Sequence, residues 1–158
     1  MWFNPAALAF LEGSGASVGG VFLTARSHFE HAETGAETSS ERGFYFLPTV
    51  FGHAPLSDDV MLGMGIYSAF GIGIRWPDGW VGRESAISAS LQTLAFNPAV
   101  AIRLGPKLSL AAGVSAVRSV VDFENGLPPL VGADVRLAGG AWGLGANAGL
   151  LYRPLPDR

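Results

Sequence analysis

The chain has 158 residues, of which 49% are hydrophobic and 15% are charged, with a formal net charge of −3 at pH 7. It contains no cysteine, which excludes disulfides and thiolate metal sites, and its charge gives no reason to expect a nucleic-acid partner. Mean hydropathy is positive, yet no uninterrupted apolar run approaches the ~18 residues of a transmembrane helix. The 22 glycines and a strand-like alternation instead favour an all-β protein with a lipid-exposed face.

The amino-terminal residues 1–14 precede the first strand. Asn4 and Pro5 begin this segment, and a short helical turn is predicted over residues 7–13. A secretory signal peptide requires a basic region followed by an apolar core, and this segment has no such arrangement. We therefore expect either that Met1 is an internal methionine of a longer protein or that the chain is a fragment.

The clearest strand covers residues 60–75. Bulky apolar side chains occupy its even positions and small residues its odd positions, which predicts one continuous strand with an oily face. Its length far exceeds the usual strand of about 5–6 residues and suits a tilted strand that crosses a membrane. Alternation and turn chemistry predict six strands in all, at residues 16–29, 44–53, 60–75, 86–104, 108–123 and 133–152.

Long and short connections alternate along the chain. Residues 28–43, 76–85 and 124–132 are predicted to form long loops, whereas 54–59 and 105–107 form short turns. Outer-membrane barrels have long extracellular loops and short periplasmic turns, so the first strand is expected to rise from the periplasm.

Aromatic residues are candidates for the belts at the two membrane interfaces. Trp76 and Trp80 are expected on the outer side and Tyr152 on the inner side. The full set of candidates is Tyr67, Trp76, Trp80, Trp142 and Tyr152.

Six strands do not close a membrane barrel. Single-chain bacterial barrels start at eight strands, and an open sheet in lipid leaves two unsatisfied edges. The predicted fold is therefore a transmembrane antiparallel up-and-down β-barrel of which this chain supplies about six strands. Oligomeric closure and a minimal barrel are alternatives, and on pattern alone so is a soluble sandwich or lipocalin-like barrel.

Three stretches of the chain form a recognisable set. They are Asn4-Pro5-Ala6 with residues 7–9, then 80–83 with 91–93 and 97–101, and then 142–145 with 147–152. In their order and spacing over nearly the whole chain, they resemble the FadL-type family of outer-membrane transporters for long-chain fatty acids and other hydrophobic compounds, which includes aromatic-hydrocarbon channels.

The resemblance implies a monomeric barrel of fourteen strands, plugged by an amino-terminal hatch and opened sideways by an inward kink in the third strand. Residues 1–14 would be the end of the hatch and residues 15–158 part of the barrel. The third-strand kink would fall at residues 68–71. The candidate ligand-binding or gating residues are Asn4, Pro5, Ala6, Ser68, Phe70, Gly71 and Arg83.

The function implied is passive uptake of long-chain fatty acids or aromatic hydrocarbons across the bacterial outer membrane, with lateral release into lipid. No enzyme activity, cofactor or metal is expected, and the partners are hydrophobic small molecules, outer-membrane lipid and lipopolysaccharide. Arg83 would attract a ligand carboxylate at the outer mouth or, equally, contact lipopolysaccharide phosphate. Gly71 and Gly73 would permit a bend or gap, or pack the inner face tightly. A non-transport ligand-binding or structural barrel is the alternative function.

Other chemistries fit the sequence poorly. Residues 15–19 match G-x-S-x-G, but a strand follows where a nucleophile elbow needs a helix, and all three histidines precede Asp58. His28 and His31 lie in a predicted loop, which does not hold them as a metal pair. Pro98 lies inside a strand pattern, where it predicts a bulge.

Overall fold

The computed structural model describes residues 4–128 and 132–154. Within them a 3-10 helix, Pro5–Phe10, is followed by strands only, and no helix is long and apolar enough to cross a membrane. The strands are β1 (Gly15–Ala25), β2 (His28–Glu30), β3 (Glu37–Ser39), β4 (Gly43–Pro55), β5 (Val60–Tyr67), β6 (Gly71–Arg75), β7 (Ser88–Arg103), β8 (Leu108–Gly126) and β9 (Asp134–Tyr152).

One antiparallel sheet contains all the long strands. Its order is β1-β4-β5-β7-β8-β9, and β6 pairs with β7 beyond the end of β5. This order confirms the six predicted strand positions, each beside its predecessor. The predicted third strand, however, is divided into β5 and β6 by a break at residues 68–70.

The amino-terminal helix defines one face of the sheet. Asn4 caps it by accepting a hydrogen bond at Oδ1 from the backbone nitrogen of Ala6, at 3.0 Å. Asn4 Nδ2 donates to the carbonyl oxygen of Leu150 at 3.1 Å, and the buried Ser109 Oγ donates to the carbonyl oxygen of Ala6 at 2.8 Å. Small side chains on the sheet let the helix approach. Helix and sheet together form the core, which contains Ala6, Leu8, Ala9, Met61, Ala99, Ala101 and Ala111.

We call the helix-covered side of the sheet the inner face and the opposite side the outer face. Strand pairing joins odd to odd and even to even residues throughout β1, β4, β5, β7, β8 and β9, so odd residues lie on the inner face. On the outer face of β9, Trp142 and Tyr152 bracket a run of Leu and Ala. At about 3.4 Å per residue and a tilt near 40°, the ten residue steps from Trp142 to Tyr152 span about 25 Å, the height of a membrane barrel's apolar band.

The other aromatic residues expected in the belts lie elsewhere. Tyr67 is on the inner face, where its ring stacks on Phe51 with 5.9 Å between centroids. Trp76 is only 8% exposed and stacks on Trp80 at 4.2 Å, and Phe29 packs edge-on against both. The belt prediction is therefore wrong for Tyr67, which lies on the inner face, and for Trp76, which is buried in a loop; Trp80 is half-buried against Trp76.

Two further expectations need correction. The loop predicted at residues 28–43 contains the hairpin β2–β3, which carries Phe29 to the tryptophan pair. Pro98 produces no bulge, because Phe96 pairs with Ala116 and Ala99 with Gly113 in the same register. Asn97 and Pro98 lack pairing partners on β8, but no extra residue is inserted.

Candidate functional site

The break between β5 and β6 inserts one extra residue into the third strand. Tyr67 pairs with Ala95 of β7, and the next pair on this strand is Gly71 with Gln92. Three residues, 68–70, thus stand opposite two, Thr93 and Leu94. An excess of one residue on one strand is the defining property of a β-bulge.

This extra residue reverses the faces of the strand. Before the break, even residues such as Met64 lie on the outer face, whereas Ile72 in β6 pairs with the inner-face Leu91. Gly71 and Gly73 pair with Gln92 and Ser90 and so lie on the outer face. The expectation of one oily face along residues 60–75 is therefore wrong beyond Tyr67, and these two glycines do not pack the inner face.

The ladder between β4 and β6 is missing. β4 pairs with β5 from Thr49 onward, and β6 has β7 as its partner strand. Two backbone hydrogen bonds close the ends of the gap: Ser68 donates to the carbonyl oxygen of Pro48 at 3.0 Å, and Glu41 donates to that of Arg75 at 2.8 Å. We call this gap, between residues 43–47 and 71–75, the lateral window.

A cavity of about 390 Å³ lies at the window. One side of its lining is apolar, with Phe44, Phe46 and Leu47 from β4. The lining from β7 and β8 is mixed, with the polar Gln92, Thr93 and Arg118 beside the apolar Leu94 and Val120. The remaining lining residues are Tyr45, Pro48, Ser68 and Gly71.

Side chains of β4 occupy the space that the two glycines leave. A methyl group built at Gly71 would lie 2.6 Å from Cδ2 of Leu47, and one at Gly73 would lie 2.9 Å from the hydroxyl oxygen of Tyr45. Any larger residue at these two positions would force Leu47 or Tyr45 to move. The wall is thus thin at the window, and the filling atoms are the ends of flexible side chains.

Two residues that the sequence analysis gave no role support the break. Thr93 Oγ1 accepts a hydrogen bond from the Phe70 backbone nitrogen at 2.9 Å and donates to the Phe70 carbonyl oxygen at 3.0 Å. Pro48 has no backbone N–H and sits where the β4 ladder ends. The position of Pro48 within the predicted second strand was the sequence signal for a break in the ladder, because proline interrupts the hydrogen bonds of a central strand.

The predicted site residues fall into three places. Ser68 and Gly71 line the window cavity, and Phe70 lies in the break with a side chain that is 66% exposed. Asn4, Pro5 and Ala6 form the start of the helix on the inner face.

Arg83 lies apart from the window, in the connection between β6 and β7. Its guanidinium forms an ion pair with Asp134, with 2.5 Å between Nη2 and Oδ1. Its carbonyl oxygen accepts a hydrogen bond from Gly126 at 2.8 Å. Arg83 therefore links the loop to the ends of β8 and β9.

The G-x-S-x-G stretch at residues 15–19 lies entirely within β1. Ser17 pairs with Phe51, the third pair of the ladder between β1 and β4. No helix follows the serine, so the geometry of a nucleophile elbow is absent at this place.

An antiparallel wall with an apolar outer band, an inner helix and a lateral gap defines a membrane β-barrel wall of the outer-membrane type. Residues 1–154 match the family described as "Outer membrane protein transport protein (OMPP1/FadL/TodX)". The chain belongs to this family, whose members are bacterial outer-membrane transporters.

Individual relatives agree with this assignment. A long-chain fatty acid transport protein of Salmonella typhi is 28% identical over 127 residues, which is 68% of this chain and 29% of that protein. Two crystal structures share the fold. The toluene transporter TodX of P. putida has a TM-score of 0.77 at 22% identity, and a FadL homologue of Pseudomonas aeruginosa has a TM-score of 0.71 at 18% identity.

The chain spans less than half the length of these relatives. The match to TodX includes 97% of this chain and 47% of TodX. The match to the FadL homologue includes 96% of this chain and 43% of that protein. The open sheet described above therefore corresponds to part of a larger barrel.

Proposed function

We propose that this chain is part of an outer-membrane channel for the passive uptake of long-chain fatty acids or other hydrophobic compounds, and that these leave sideways through the lateral window. The missing ladder between β4 and β6 is the observation that supports this proposal. A closed barrel wall gives a hydrophobic molecule no lateral path, because continuous hydrogen bonds and packed side chains seal it.

The chemistry of the window suits a conduit better than a catalyst. Its cavity presents Phe44, Phe46 and Leu47 beside Gly71, and its neighbouring groups offer no nucleophile paired with a base. An apolar path lowers the barrier that the polar lipopolysaccharide layer imposes on a hydrocarbon chain, and no bond needs to be made or broken.

Blocking the window tests this function. We expect Gly71→Leu to reduce uptake of labelled oleate to the level of cells that lack the protein, because the new side chain would meet Leu47 inside the window. Uptake is measured in a strain without its own fatty acid transporter that expresses the whole gene product. Heat-modifiable migration on gels verifies that the variant barrel is folded.

Ala148→Leu is the matched control, since it adds the same side chain to the outer face of β9, far along the sheet from the window. Its uptake should equal that of the wild type. A folded Gly71→Leu protein that takes up oleate at the wild-type rate would contradict lateral release through this window.

A further inference from the structure

Arg118 is an uncompensated cation at the window. It lies on the outer face of β8, opposite Trp142 of β9, and lines the window cavity. The guanidinium groups of Arg75, Arg83, Arg103 and Arg136 each pair with a carboxylate, whereas Arg118 has no ion pair with any residue in 4–128 or 132–154. A cation at a membrane surface without a partner is costly.

The surroundings hold this guanidinium in place. Its central carbon lies 5.9 Å from the centre of the Trp142 ring, within the range of a cation–π interaction. A methyl group built at Gly140 would lie 2.5 Å from Nη2 of Arg118, so the glycine provides the room that the group occupies. Packing thus fixes the position of the charge and leaves its hydrogen-bond donors for a ligand.

The cavity offers both an apolar surface and a cation. Phe44, Phe46 and Leu47 of β4 are apolar, and on β7 and β8 Arg118 and Gln92 lie among Leu94 and Val120. An arginine binds a carboxylate through two parallel N–H···O bonds, which makes it the side chain best matched to such a head group.

We propose that Arg118 binds the carboxylate of a fatty acid at the outer lip of the window while the hydrocarbon tail lies along Phe44 and Phe46. This proposal rests on the proposed transport function and narrows its substrates to hydrophobic chains with an anionic head. Arg83, the sequence candidate for this role, already pairs with Asp134.

Binding is tested with the purified whole gene product in vesicles of zwitterionic phospholipid. 2-Bromohexadecanoate carries a bromine beside its carboxylate and should quench Trp142, whose contribution is isolated by subtracting the signal of Trp142→Phe. We expect Arg118→Gln to reduce this quenching to the level of the neutral 1-bromohexadecane, and Arg118→Lys to retain part of it.

Arg26→Gln is the matched control, because this substitution removes the same charge from an exposed residue outside the cavity lining. It should quench like the wild type. Equal quenching in Arg118→Gln and the wild type would overturn the proposal. Complete displacement of the bromo acid by phosphate-bearing lipid A would also overturn it, since the site would then belong to a membrane lipid head group.

Uptake assays separate this proposal from the transport function. Arg118→Gln should lower oleate uptake severalfold and leave uptake of the neutral hydrocarbon hexadecane unchanged. If the wild type transports neither compound while Arg118-dependent quenching persists, the transport function fails and the carboxylate site stands. If transport is intact and quenching is independent of Arg118, the site fails alone.

Discussion

The hydroxyl of Thr93 accepts a hydrogen bond from the Phe70 backbone nitrogen and donates one to the Phe70 carbonyl oxygen, which also accepts from the Thr93 backbone nitrogen at 2.9 Å. A backbone group that loses its ladder partner in a membrane wall must find another partner, because lipid offers none. The broken strand is thus supported by a specific side chain, and Ser68 Oγ adds a third hydrogen bond to the Phe70 carbonyl oxygen at 3.3 Å.

Thr93→Val should destabilise the folded barrel by about 1–2 kcal/mol, since valine keeps the shape of threonine but leaves the Phe70 N–H without its partner. The free energy of unfolding in urea, measured on the whole gene product in lipid vesicles, checks this. Thr93→Ser retains the hydroxyl and should lose much less. Equal stability of the valine variant and the wild type would show that water or lipid head groups satisfy Phe70.

At the scale of the element, the third strand is two half-strands with opposite faces. The extra residue in 68–70 reverses the faces, because the pairing of β6 with β7 resumes one residue out of phase with that of β5. On its other side, β6 has no ladder with β4. Ile72 and Ile74 are turned to the inner face, and the two glycines are turned towards the window.

Deleting Ala69 should close the window. The deletion leaves two residues opposite Thr93 and Leu94, so every side chain of β6 keeps its face while the strand becomes regular. We expect a folded barrel whose oleate uptake falls to the level of cells without the protein. Ala69→Gly keeps the residue count and should transport normally, and a deletion variant that transports like the wild type would contradict the role of the break.

The sequence was sufficient to predict the strands, but it did not predict that an extra residue at 68–70 reverses the faces of the third strand. Alternation depends on side-chain type alone, so six strands and their order could be predicted from residues such as those of 60–66. The change of face could not, because bulky residues continue at even positions through Ile72 and Ile74. Their pairing partners on β7 determine the face, and that register depends on tertiary pairing. A ligand-binding role for Arg118 could not be predicted from the sequence, because it depends on whether a carboxylate lies near the guanidinium in the folded protein.

At the scale of the whole molecule, the helix and wall behave as one unit. The helix is attached to β8 and β9 through Ser109 and Leu150, and the guanidinium of Arg153 lies 3.7 Å from the centre of the Phe10 ring. The sheet itself is open, because β1 and β9 are each paired on one side in the part of the chain that the structure describes.

Residues 1–158 expressed alone should aggregate or misfold in detergent, because two long strand edges present unpaired backbone groups. Size-exclusion chromatography and heat-modifiable migration on gels measure this. The whole gene product, prepared in the same way, is the control and should be monodisperse. A monodisperse, heat-modifiable species from residues 1–158 would show that the edges find partners within or between copies of the chain.

The hydrogen bonds at the two ends of the window, from Ser68 to Pro48 and from Glu41 to Arg75, also set its shape. Ser68 and Arg75 are seven residue steps apart, which is about 23 Å along the strand. These two bonds fix the length of the opening, so under the proposed function the window would select molecules by thickness. A slender chain would then pass side-on whatever its number of carbons, whereas a fused-ring or branched molecule of the same mass would have to push Leu47 and Tyr45 aside.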